Sequence, residues 1–330
     1  MNDYLKNIAD QMLERYLELE KAFMWEHNLT KHFVALILTQ QNKEVNKENI
    51  KNAIEVINAN TGVFSNFRGL YRFMLAGLMI TESDSVEGTF NRILQCEQYL
   101  KDAGFKQGTH MPIACYALYK SSNEDDPKAM ARRAYEIYGN LKTNHPWLTS
   151  SDDYSMCVLL AKTEGDLSRI EAAYNGLNQA GFYKGNELQR LSHILALSDR
   201  PIDTVVAECM KLKAELKENK LNLSATFYAA LGIITLISIE DPQVSRDLIE
   251  LSHYLNGQKK FKWLGKGMNV LLASSIVSEQ WIKASMISAN SEVSRIAISI
   301  SVESLIAAQM AALIAATSAS AAAASASANS

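Results

Sequence analysis

The stretch Leu100–Gly108, "LKDAGFKQG", and the stretch Leu177–Gly185, "LNQAGFYKG", write nearly the same turn twice, 77 residues apart. Taking each leucine as an anchor, equivalents stand at Leu141, Leu216 and Leu255, so the five anchors follow at steps of 41, 36, 39 and 39 residues. Seven residues before each anchor stand Ile93, Ala134, Ile170, Cys209 and Leu248, and four before stand Cys96, Ile137, Ala173, Leu212 and Leu251. Apolar residues at that spacing form one stripe of a helix. The twin turns are therefore the elbows at which such a helix ends.

Five or six residues after each anchor comes a large apolar residue, Phe105, Trp147, Phe182, Leu221 or Phe261, expected to plug the elbow. Behind it begins an apolar segment such as "MPIACYALY" (111–119), "YSMCVLLA" (154–161) or "FYAALGIITLI" (227–237), which reads as a narrow second helix pressed between neighbours. "TGVFSNFRGLYRFMLAGLMI" (61–80) reads as the second half of an earlier, less regular unit. The connections between units are short and acidic. In two of them Asp126–Pro127 and Asp241–Pro242 pair an N-cap residue with the residue favoured at the first helical position. The expected fold is all-α: tandem helical hairpins of about 38 residues, repeated about six times, in an open α-solenoid, with a closed α/α toroid as the alternative. Residues 1–45 are expected to cap the row, 46–282 to form it, and 283–330 to be an Ala/Ser-rich helix and tail.

The bulk composition is that of a soluble globular protein. Net charge is −3 with a pI of about 6.1, which disfavours nucleic-acid binding through a generally basic surface. Cys96, Cys115, Cys157 and Cys209 lie far apart with no CxxC pair, so they are read as reduced, half-buried helix residues rather than metal ligands or a disulfide framework. The charged opening "MNDYLKNIADQMLERYLELEKAF" does not read as a signal peptide or membrane anchor, and a cytoplasmic location is expected. Residues 304–330 carry no charge, and 13 of the 27 are alanine. Their strongly apolar part stops at Ile314, too short to span a bilayer; the segment is expected to cover the last repeat, with docking on a partner or a membrane surface as the alternative.

"VFSNFRGLYRFMLAGLMI" (63–80), "HPWLTSSDDYSMCVLLAK" (145–162) and the closing Ala/Ser run together resemble an uncharacterised bacterial all-helical family catalogued as a domain of unknown function. The resemblance covers nearly the whole chain. It implies a bacterial, cytoplasmic, all-helical protein and brings no catalytic residues.

Candidate functional residues gather where the second helices start, since hairpin geometry puts all those starts on one edge. They are Arg68, Arg72, His110, Asp152, Asp153, Glu187, Arg190 and His193, with Lys266 in the last unit. Helix N-termini present free N–H groups and attract anions. Arg68 and Arg72, four apart, are expected on one helical face, with Asp152 and Asp153 as their prospective partners. Such a rim could take a peptide or small anion, whereas capping and inter-repeat ion pairs explain the same residues structurally. Trp147 is the aromatic best placed to touch a partner, although its elbow position alone accounts for it as core. "GQKKFKWLGKG" (257–267) interleaves lysines with Phe261 and Trp263, but is expected to be a solvated basic loop rather than a nucleic-acid grip. No phosphate loop, GxGxxG, HExxH, GxSxG or EF-hand spacing occurs, so no cofactor or metal is expected. The expected function is a protein or peptide interaction module without catalysis. The alternative is a toroid enzyme in which Asp152, Asp153, Glu187 and the histidines converge as a carboxylate-based hydrolase or lyase.

Overall fold

The computed structural model describes residues 3–122, 126–163, 167–237 and 241–287, apart from the side chains of 285–287. The described residues are helical, with no strand among them. Helices with one apolar stripe alternate with helices buried on nearly every side. The striped helices are α1 (Asp3–Ala22), α3 (Lys47–Ala59), α5 (Val86–Ala103), α7 (Pro127–Asn144), α9 (Ser168–Gln179), α11 (Ile202–Glu218) and α13 (Pro242–Gly257). Each is followed by an elbow and then a buried helix. These are α2 (Asn28–Gln40), α4 (Arg72–Met79), α6 (Met111–Ser121), α8 (Tyr154–Ala161), α10 (Asn186–Ala196) and α12 (Ala229–Leu236); after α13 and the single turn α14 (Lys259–Lys262) comes α15 (Lys266–Ile287). Seven such pairs are therefore present among the described residues, where the sequence suggested about six.

All fifteen stripe positions read from the anchors are buried, from Ile93, Cys96 and Leu100 on α5 to Leu248, Leu251 and Leu255 on α13. Each striped helix lays that face on the buried helices, and every residue of α8 and α12 is buried. At the twin turns Gly104 and Gly181 take φ of 119° and 94°. Phe105 N–H then donates back to Leu100 O at 3.0 Å and Phe182 N–H to Leu177 O at 3.1 Å, a helix-terminating arrangement that needs a left-handed residue. The third copy uses Lys220 at φ 61°, with Leu221 N–H donating to Leu216 O at 2.8 Å.

The plugs behave alike. Phe105 meets Tyr154 at 4.7 Å and Phe182 meets Tyr228 at 4.8 Å, both edge-on, each reaching the start of the next pair's buried helix. Phe261, after the last striped helix, makes the same kind of contact with His32 on α2 at 5.1 Å. Each pair's elbow region touches the next: Phe23 with Phe73, Asn66 with Gln107, Phe105 with Tyr154, Asp152 with Arg190, Phe182 with Tyr228, and Lys266 Nζ with Lys220 O at 3.0 Å. Lys260 then pairs with Glu20 of α1 at 2.6 Å, and Tyr254 on α13 donates to Asp10. At the opposite end Gln40 bonds Ser275 Oγ at 2.9 Å and Lys283 donates to Gln40 O at 3.0 Å.

Several expectations change. Trp147 does not plug its elbow and is 94% exposed; that elbow lacks the glycine turn, and Leu148 packs against the core instead. The cysteines are wholly rather than half buried, and burial lifts their thiols, Cys96 and Cys209 to about 12. Within 61–80 only α4 is a regular helix, because a 3-10 turn over Asn66–Arg68 and Gly69 interrupt it. Asp126 and Asp241 cap α7 and α13 as expected, accepting from Lys128 N at 2.9 Å and Gln243 N at 2.8 Å. The acidic connectors at 124–125 and 164–166 and the tail at 304–330 lie outside the described residues.

Candidate functional site at the elbow end

Four buried helices bring polar side chains together where they begin. Tyr71 and His110 occupy the same register, the residue before α4 and before α6, and the Tyr71 hydroxyl lies 3.2 Å from His110 Nδ1. Ahead of α8, Ser150–Asp153 folds as a reciprocal cap, in which Ser150 N–H donates to Asp153 Oδ2 at 2.9 Å. That cap sets two adjacent carboxylates in opposite directions. Asp152 points outward, its side chain 16% exposed, and accepts from Ser150 Oγ and from Arg190 on α10; Arg190 also lies 3.9 Å from Glu187. Asp153 points inward and is only 3% exposed. There it lies 3.4 Å from Gln189 Nε2 and 3.8 Å from His193 Nδ1.

Different surroundings drive the two carboxylates apart. Burial opposes ionisation of Asp152, but the Ser150 hydroxyl and the Arg190 guanidinium outweigh it and hold the group below the usual carboxylate range. Burial of Asp153, reinforced by the charge of Asp152, pushes it up to about 7. His193 is fully buried, and burial with help from Arg190 pulls it down to about 3, so its imidazole is neutral. Neither of its ring nitrogens has a hydrogen-bond partner, and Gln189 Oε1 beside it has none either. Burial also lowers His110, and burial together with Asp152 raises the Tyr71 phenol well above its ordinary range.

Of the residues singled out from sequence, His110, Asp152, Asp153, Glu187, Arg190 and His193 converge here. Arg68 does not. It sits in the 3-10 turn rather than on a helix with Arg72, and donates to Asn58 O and to Thr61 at the end of α3. Arg72 pairs with Glu26 at 3.5 Å rather than with an aspartate of the 152–153 pair. Trp147 stands outside on the exposed elbow, and Lys266 holds a backbone carbonyl of the neighbouring elbow. Tyr71, Ser150 and Gln189 were missed. The register shared by Tyr71 and His110 was the available signal for the first, whereas nothing in the spacing separates Gln189 from an ordinary helix residue. Among the described residues, no group of three or more His, Cys, Asp or Glu is placed to hold a metal ion.

Fold and cluster together define an all-helical protein of successively paired helices with a cluster of polar side chains at one end. The chain belongs to the family described as "Protein of unknown function (DUF4003)", whose model matches residues 15–311. It is similar to "Uncharacterized protein YeaA" of Bacillus subtilis (strain 168), at 25% identity over 309 residues that cover 91% of each chain. No solved structure matches it. Among the described residues, no helix is long and apolar enough to cross a membrane.

Proposed function

We infer that the seven helix pairs close into an α/α toroid, and we propose that the protein is a cytoplasmic binding module, without chemistry of its own, that seats a peptide partner over the polar cluster at the elbow end. The contacts between first and last pairs support closure, since an open row would leave those surfaces bare. One observation carries the binding reading. Tyr71, His110, Asp152 and Arg190 arrive from four separate helix pairs, and Arg190, Asp152 and Glu187 keep 22%, 16% and 37% of their side chains exposed. Partly exposed groups of both signs offer a peptide complementary charge and hydrogen-bond partners, and a rigid frame lowers the ordering cost of binding. Affinity capture with the full chain, compared with Arg190→Ala and Asp152→Ala, tests this. A partner retained by the wild type and weakened more than about tenfold by both variants is expected for a truncated charge pair in an interface. Equal retention overturns the assignment.

Catalysis is the second reading, and the Asp153–His193 pair favours it. A carboxyl near 7 beside a neutral, unpartnered imidazole is the kind of acid–base pairing that enzymes build by burial. On this reading Asp153 holds the proton to be given and Asp152 stays ionised. Turnover of an ester and glycoside panel by the wild type, abolished in Asp153→Asn, would establish it; absence of turnover removes it.

A further inference from the structure

The elbow end differs from the opposite end in two respects that the polar cluster does not explain. The first is exposed apolar surface. Among the described residues, every large apolar side chain more than 60% exposed belongs to an elbow: Met24 and Trp25, Val63 and Phe64, Trp147, Tyr183, and Trp263. Phe64 is 100% exposed, Trp25 97%, Trp147 94% and Tyr183 88%. Scattered exposed apolar residues are normal, but aromatic tips confined to one end of a molecule mark a surface that is covered in use.

The second is charge. The seven elbow segments (23–27, 60–71, 104–110, 145–153, 180–185, 219–228 and 258–265) hold seven Lys and Arg residues against three Asp and Glu. The described residues of the six connections at the other end (41–46, 80–85, 122 and 126, 162–163 and 167, 197–201, 237 and 241) hold three against six. A net charge near zero thus conceals two oppositely charged ends. The three elbow acids are also masked: Glu26 faces Arg72, Asp152 faces Arg190, and Asp153 is buried. Lys106, Lys184, Lys220, Lys259 and Lys262 are all exposed.

We propose that the elbow end docks flat on an anionic lipid bilayer, its aromatic tips entering the headgroup layer and its exposed lysines meeting lipid phosphates. The arrangement selects this occupant. The tips lie on five different elbows spread round a cycle of contacts, so they address a plane rather than a line, and a plane of Trp, Tyr and Lys suits a membrane interface. A single nucleic-acid strand would instead need aromatics and lysines following one another along a groove. The acidic far end is repelled by the same bilayer and fixes the orientation. The inference is independent of the peptide-binding reading, which rests on Arg190 and Asp152.

Co-sedimentation of the full chain with phosphatidylglycerol-containing vesicles, against pure phosphatidylcholine vesicles, tests the proposal. Binding to the first and not the second, with tryptophan emission shifting to shorter wavelength and affinity falling as salt rises, is expected. Lys259→Ala and Lys262→Ala should each weaken binding roughly fivefold, the effect of removing one lysine from an anionic surface. The triple variant Trp25→Ala, Phe64→Ala, Trp147→Ala should weaken it more than about tenfold through lost interfacial burial. All five residues are exposed, so a thermal melt matching the wild type accompanies these losses. Glu55→Ala, on an exposed face of α3, should bind like the wild type. Absence of vesicle binding, or binding indifferent to lipid charge and to these residues, overturns the proposal. So does tighter, rim-dependent binding of a uridine oligonucleotide, or self-association in light scattering that the triple variant abolishes.

Discussion

One part of the buried layer gathers charged side chains into a cluster, and another sets its helices against one another through small residues. Where α6, α8 and α10 begin, His110, Asp152, Asp153 and Arg190 meet, and buried atoms of His193 and Gln189 stay without partners. Around α12, α15 and the α2–α4 contact the helices instead come as close as glycine allows. A Cβ on Gly232 would fall 2.7 Å from Ile194 Cγ2, one on Gly77 2.5 Å from Val34 Cγ2, and one on Gly267 within the Phe227 ring's van der Waals shell. Buried hydroxyls there turn back on their own helix, Thr235 to Leu231 O at 2.8 Å and Ser274 to Leu271 O at 2.7 Å. Small residues and close approach leave no space for a polar cluster. Long polar side chains fill the other helix starts; unsatisfied buried atoms occur in both parts, His193 and Gln189 Oε1 in one, His32 Nε2 and Asn269 Oδ1 in the other.

The largest effect should come from the close-packed part. Gly267→Val should destabilise the protein by about 3 kcal/mol or more through overpacking against Phe227, read as a lowered urea midpoint at every pH. Asp153→Asn should instead act through pH. The ordinary carboxyl value is 3.8 and the folded value about 7, so the folded protein keeps a proton that the unfolded chain has released between them. That contribution is full below about pH 4 and is lost as pH rises through 7. His193 runs the other way: with 6.5 ordinarily and about 3 when folded, it costs stability as pH falls from 6.5 towards 3. The two slopes oppose each other in the wild type. Asp153→Asn removes the first, so its stability should climb between pH 4 and 6.5. Relative to pH 4, the variant should gain about 2–4 kcal/mol on the wild type by pH 8. Parallel urea titrations of the two proteins would contradict this.

A smaller loss, about 1–3 kcal/mol, is expected for Arg190→Ala, which leaves the Asp152 carboxylate without its guanidinium. A carboxyl NMR titration should show Asp152 moving upward. The smallest effect concerns the elbows that feed the two parts. Lys220 occupies the left-handed position that Gly104 and Gly181 fill in the twin turns, so Lys220→Gly should stabilise by about 0.5–1 kcal/mol in thermal melts. Gly181→Ala, with open space around it, should lose about the same amount, whereas Gly104→Ala also meets the Tyr135 ring and should lose more.

The helix pairs were legible because each rests on local rules that repeat: an apolar residue every three or four positions, a glycine or its substitute at the turn, an aspartate before proline. Trp147 broke the pattern because "HPW" changes where the chain turns, and a spacing count does not register a shift of one residue in which side faces inward. Of the site, the residue types and the common edge could be read, since alternation of striped and buried helices puts all elbows at one end. The pairings could not. Asp152 chose Arg190 over Arg68 and Arg72 because α8 and α10 lie close together, and those two arginines already had partners at Thr61 and Glu26.

Helical class, elbow positions and the chemical alphabet of the cluster thus follow from the order of residues alone, since neighbours along the chain enforce them. Contact between the first and last pairs, the opposed environments of two adjacent aspartates, and the sorting of aromatic and basic groups to one end depend on residues far apart in sequence. Only packing in three dimensions decides which of them are shielded from water and which charges they face.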